Sequence, residues 1–208
     1  MALVKYNNNS LSAITAAAAI PSGAMTLIKE QTASASATIS FVNGTSDVVL
    51  DSTYPIYVFK FINIHPATDR VNFMMNLSID SGSNYNVTKT TTCFLNYHAE
   101  TEFTPPPLEY RADLDLAQST ADQNLGSGLG NGNDESLSGT FYLFSPSSTP
   151  FVKHFMITTQ MIEGQDMSFN SFIAGYANTT SAVDAVQFKM SSGNLDAGTF
   201  KLYGIKDS

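Results

Sequence analysis

The chain has 208 residues, 43% of them hydrophobic and only 13% charged, about half the charged share of an average soluble protein, with a net charge of −8. This length suits one domain with a sizeable core and is short for two. Its Lys and Arg residues are dispersed singly and form no basic face, which argues against nucleic acid and anionic membranes, and no apolar run is long enough to span a bilayer.

In chain order, residues 1–23 are small, weakly patterned and almost uncharged. The stretch 11–20 (LSAITAAAAI) has the length of a signal-peptide core but follows YNNNS instead of a basic segment, so no secretion signal is expected. A terminus of this kind is either frayed or an arm that docks on a neighbouring subunit, and the arm is the expectation taken forward.

From residue 24 onward apolar and polar residues alternate, which predicts strands over residues 24–30, 37–42, 54–64, 71–79, 86–97, 137–144, 152–162, 167–177, 185–190 and 198–205. The 16 Asn, 24 Ser and 21 Thr reinforce this reading, because their short polar side chains compete with the helical backbone and favour strands and turns. Turn chemistry at Asn43-Gly44, Asp80 to Asn84, Pro146 to Ser148 and Ser192 to Asn194 predicts hairpin connections. A long excursion from 98 to 136 contains three consecutive prolines, Pro105 to Pro107, and the glycine run LGSGLGNGNDES. The prolines exclude a central strand there, and a loop of this length carries function, meets a partner or is mobile. About ten short strands without alternating helices predict an all-β, antiparallel, jelly-roll-like sandwich over residues 24–208, with residues 1–23 as an extended arm.

The chain carries no G-x-S-x-G elbow, H-E-x-x-H, P-loop or Cys–Cys metal pair. Gly126, Gly128, Gly130 and Gly132 do not form G-x-G-x-x-G and lead into a strand, so they read as a flexible loop and not a phosphate cradle. His65, His98 and His154 sit in or beside separate strands, where satisfied edge or core histidines are expected over a zinc site. Cys93 is expected to have no basic neighbour that would lower its pKa and reads as a buried, inert thiol, with a Cys–His nucleophile alongside His98 as the remote alternative.

Asp113 with Asp115, Asp134 with Glu135, and Glu100 with Glu102 are paired carboxylates that glycosidase chemistry could use if they shared a strand face. In a chain without Trp they are expected to be solvated loop charges. Asp80, Asn84 and Asn86 offer oxygen ligands in one turn, but Asp and Asn suit a tight turn without calcium. The Asn-x-Ser/Thr matches at Asn8, Asn43, Asn76, Asn86 and Asn178 are expected by chance in this composition. Tyr85, Tyr97, Tyr110 and Tyr176 are candidates for stacking on a sugar, although strand tyrosines commonly just cover a sheet. The chain is therefore read as non-enzymatic, without catalytic, cofactor or metal residues, and with ligand-binding residues unknown.

The strings MALVKYNNNSLSAIT, YVFKFINIHPATD, SGSNYNVT, LGNGNDESLSGTFYLFSPSST, FVKHFM, AGYANTTSAVDAVQFKMSSGN and GTFKLYGI span nearly the whole chain. They resemble a family of small bacteriophage virion structural or tail-fibre-like proteins, frequent in marine and cyanobacterial phages. The resemblance implies a non-enzymatic virion component, associated with the tail or fibre, with other virion proteins as partners and a host surface glycan as a further one. A homo-oligomer, with a trimer favoured, would hide the edge strands of an open sandwich. A capsid decoration protein, a carbohydrate-binding module and an envelope depolymerase are the competing readings.

Overall fold

The computed structural model describes residues 25–101 and 106–206. The arm expected over residues 1–23 lies outside the described residues, as do Asn8, Glu102 and Pro105. Twelve antiparallel strands form the fold: β1 (Met25–Thr32), β2 (Ile39–Val42), β3 (Ile56–Pro66), β4 (Val71–Ser78), β5 (Lys89–Ala99), β6 (Glu109–Tyr110), β7 (Gln123–Leu129), β8 (Leu137–Phe144), β9 (Lys153–Glu163), β10 (Met167–Ala177), β11 (Ala185–Met190) and β12 (Leu195–Ile205). Strict alternation explains most of them. In β9 every second side chain from Lys153 to Glu163 is buried, and those between point outward.

The strands pair in nested order, β1 with β12, β2 with β11, β3 with β8 and β4 with β7. Between β8 and β7 stands β9, which pairs fully with β8 and meets β7 only at Leu129 opposite Glu163. The sheet path thus runs from β1 round to β2, and the Gln31 amide donates to the Ser40 carbonyl at 2.9 Å across the remaining gap, so the barrel is nearly closed. Two hairpins, β5–β6 and β9–β10, are inserted between the nested strands and join edge to edge as β9–β10–β5–β6. They widen one side of the barrel into an extended sheet.

The core is one buried cluster centred on phenylalanines. Phe188 lies within ring-contact range of Phe41, Phe59, Phe61, Phe73, Phe141 and Phe200, mostly edge-on, the arrangement aromatic quadrupoles favour.

Three sequence expectations change. The excursion 98–136 holds β6 and β7, and Gln123, Leu125 and Leu129 of β7 are buried, because this strand completes the barrel beside β4. Its glycine run is packed, not loose: Gly128 has φ +77°, and a side chain on Gly130 would overlap the Glu135 carboxylate. Of the four expected hairpins, only Pro146 to Ser148 joins paired strands, β8 and β9. The turns at Asn43-Gly44, Asp80 to Asn84 and Ser192 to Asn194 connect strands that are not paired, since turn residues dictate a reversal but not which strand lies next door.

Candidate functional site

The outward faces of β8, β9, β10 and β5 form one continuous surface. The register sets Tyr142, Met156, Ala174 and Thr92 in one row across the strands, and Thr140, Thr158, Phe172, Phe94 and Tyr110 in the next. Met156 is 57% exposed and Phe172 46%, although both are large apolar residues. No Asp, Glu, Lys or Arg occupies an outward position on these four strands. Exposed apolar side chains grouped in this way mark a surface that gains by being covered.

At one end of this face the β8–β9 connection, residues 145–152, folds over Tyr54 and Pro55 to form a groove of about 760 Å3. Its aromatic walls are Tyr54, Phe144, Phe151 and His154, and Ser147 and Thr149 add hydroxyls. The connection is fixed at several points. The Ser145 amide donates to the Pro55 carbonyl at 2.8 Å, the Ser148 amide to the Ser145 carbonyl at 3.0 Å, and the Val183 amide to the Pro146 carbonyl at 2.9 Å. The Phe151 amide donates to the Ser148 hydroxyl at 3.3 Å. Beneath the connection the Lys153 ammonium is buried and donates at 3.1 Å to the carbonyls of both Phe151 and Thr179. Burial lowers the pKa of Lys153, and the two carbonyls compensate the ammonium while anchoring the chain at Phe151. Phe151 itself projects outward and is 74% exposed.

The residues singled out in the sequence are scattered over other places. His65 lies between the Asp196 carboxylate at 3.7 Å and the Gly132 carbonyl at 3.1 Å, and His98 contacts the Ala99 carbonyl at 2.6 Å. His154 alone reaches the groove, with its ring 6.2 Å from Tyr176. Among the described residues no three His, Cys, Asp or Glu side chains stand together as a metal site. Cys93 is buried on the inner face of β5, and burial pushes its thiol up to about 11, which leaves little thiolate at neutral pH. Contrary to the sequence expectation it has a basic neighbour, Arg111, whose amide donates to the Cys93 carbonyl at 2.8 Å and whose charge acts against the rise. The outward position of His98 on the same strand places the two on opposite faces.

Within the pairs Asp113–Asp115 and Asp134–Glu135 the two carboxylates meet different partners or surroundings, and the pair Glu100–Glu102 falls partly outside the described residues. Asp113 takes a two-pronged contact from Arg111, at 2.9 and 2.7 Å, and these hydrogen bonds hold its carboxyl below the usual range. Asp115 instead accepts from the Tyr110 hydroxyl. The buried Glu135 carboxylate accepts from the Gly132 amide, while Asp134 is exposed. The loop's own carboxylate thus occupies the glycine-lined space. Asp80 accepts from the Ser78 hydroxyl at 2.7 Å and from the Asn84 side chain at 2.7 Å, which is turn architecture. Asn76 is buried, so it is no glycan acceptor in the folded chain.

Of the four candidate tyrosines, Tyr97 packs against the core beside Phe169, Tyr85 lies against the turn at Gly82, and Tyr110 sits edge-on to Phe94. Tyr176 stands beside His154 at the border of the groove. Sequence reasoning missed Tyr54, Phe144, Phe151 and Lys153 as a group. The available signal was an aromatic residue placed directly after a proline in a polar turn, Pro150-Phe151. Comparison of the chain with protein-family models, curated proteins and solved structures gives no match.

Proposed function

We propose that this chain is a non-enzymatic bacteriophage virion structural protein on the particle exterior, associated with the tail or fibre, where it assembles with copies of itself and attaches to a host surface. The observation that carries the reading is the uncharged outer face of β8, β9, β10 and β5 with its exposed Tyr142, Met156, Phe172 and Phe94. Copies of a chain with net charge −8 repel one another, and that repulsion is weakest where a face bears no carboxylate. Covering the exposed rings then supplies the attraction. The resemblance of the sequence strings to phage structural proteins gives this assembly its setting.

The nested pairing of β1 to β4 with β12, β11, β8 and β7 supports reading the fold as a jelly roll, with β5–β6 and β9–β10 as insertions. In this account the insertions are the assembly device, residues 1–23 are the arm that joins neighbouring subunits, and a trimer closes the ring. A stained gel of purified particles tests the location. A few copies per particle fit a tail or fibre component, whereas hundreds would replace that reading with head decoration.

A further inference from the structure

We infer that the groove at the β8–β9 connection is a binding site for a neutral saccharide. The inference deepens the attachment half of the reading above, and rests on it only for the role of the ligand; the site itself stands on the chemistry of the groove.

Three features of the lining point to this ligand class. The first is the set of aromatic faces. Phe151 stands exposed at the rim, Phe144 lies in the floor, and Tyr54 is set against Gly204 so closely that any side chain there would collide with its ring. Phe151 and Phe144 offer apolar ring surface to the C–H face of a pyranose, which a charged or purely polar ligand would not use. The second is the supply of neutral hydrogen-bonding groups. Among the described residues, the hydroxyls of Ser147 and Thr149 have no protein hydrogen-bond partner. Sugar hydroxyls both donate and accept, and serine and threonine hydroxyls match them in either sense.

The third feature is the charge. The chain carries −8 overall, yet no Asp, Glu, Lys or Arg lines this groove. The Lys206 ammonium lies over the Tyr54 ring, 6.0 Å from its centroid, but is not one of the lining residues, among which an acidic glycan finds no Lys or Arg and a phosphorylated ligand no guanidinium fork. The volume of about 760 Å3 falls within the roughly 300–1,000 Å3 of typical small-ligand pockets.

The groove is also pre-organised. The buried Lys153 ammonium ties Phe151 to Thr179, so the rim is fixed before a ligand arrives and less ordering entropy opposes binding. This gives a buried lysine without a carboxylate partner a role at the site. The Lys153→Met variant would keep the lining residues but release the rim.

The test uses the full chain. Binding to an array of neutral and acidic oligosaccharides is followed by NMR titration with oligomers of glucose, galactose and N-acetylglucosamine. The expected result is binding of neutral oligosaccharides in preference to sialylated or sulfated ones. Phe151→Ala should weaken it about tenfold, the loss of one aromatic contact in a site of this kind. Ile79→Ala, an exposed apolar residue just past β4 that neither lines the groove nor lies on the outer face of β8, β9, β10 and β5, should leave affinity unchanged. Phe151 is exposed, so its removal leaves the fold intact, as circular dichroism would verify. No saccharide above background, a preference for charged glycans, or unchanged binding by Phe151→Ala would each overturn the inference. So would binding of a proline-rich peptide in place of any saccharide, or groove signals that move on deletion of residues 1–23 and not on adding sugar. None of these results bears on the particle location, which the copy number tests separately.

Discussion

Replacing Phe188 by Ala removes the ring at the centre of the core. Phe188 is fully buried, and its neighbours Phe41, Phe59, Phe61, Phe73, Phe141 and Phe200 come from both sides of the barrel. Phe-to-Ala changes in cores cost about 3–5 kcal/mol, more where surrounding groups cannot close in. Here the neighbouring rings are carried by paired strands, so collapse into the vacated space is limited, and the loss of edge-on contacts adds to the transfer cost. The expected destabilisation is therefore at the upper end, about 4–5 kcal/mol, which for a domain of this size lowers Tm by about 10–20 °C. Guanidinium titration with circular dichroism, alongside a thermal scan, measures it. The control is Ile79→Ala, exposed just past β4, which should cost about 1 kcal/mol or less. A loss below about 2 kcal/mol for Phe188→Ala, or an equal loss for Ile79→Ala, would refute the placement of the core between these strands.

Further outcomes follow from buried polar groups. Lys89 is buried, and desolvation lowers its pKa from 10.5 to about 8, while its ammonium donates to Asn76 at 2.6 Å and to the Val87 carbonyl at 2.7 Å. Because the folded value lies below the unfolded one, the unfolded chain binds more protons between pH 8 and 10.5, and stability rises with pH through that window. The Lys89→Met variant should lose this rise, worth up to about 3 kcal/mol, in denaturant titrations at pH 7 and pH 10; parallel slopes for the two proteins would contradict it. Arg70 reaches the buried Glu163 carboxylate at 3.2 Å, so Arg70→Ala should destabilise by about 1–2 kcal/mol, less than a fully buried pair because Arg70 is half exposed. Cys93 should resist a thiol reagent at pH 8 in the native protein and react on unfolding; rapid native labelling would show that β5 opens.

How far the sequence reaches is clear from individual strands. The residues Lys153 to Glu163 alternate without a break, so β9 is readable from pattern alone. Strand β7 is different: Gln123-Asn124-Leu125-Gly126-Ser127-Gly128-Leu129 lacks β-branched and aromatic residues, and it is a strand because β4 lies beside it. Its glycines read as loop residues until Leu137 and Met161 are seen packed against Gly126 and Glu163 against Gly128. Pairing partners were equally hidden, since the nested pairs β1–β12 and β2–β11 meet across more than a hundred residues, as Thr26 does opposite Gly204. The groove was missed for the same reason: Tyr54 and Phe151 stand far apart in sequence and are joined by β3–β8 pairing and the Ser145-to-Pro55 hydrogen bond. The small number of Lys and Arg residues, ten against 18 Asp and Glu, is by contrast read directly from the sequence, because it depends on which residue types are present and not on where they fold.

Immunogold electron microscopy of purified particles, with antibody raised against this chain, tests the central claim most directly. The account predicts gold at tails or fibres. Unlabelled particles, together with the absence of the chain from their mass spectrum, would contradict it.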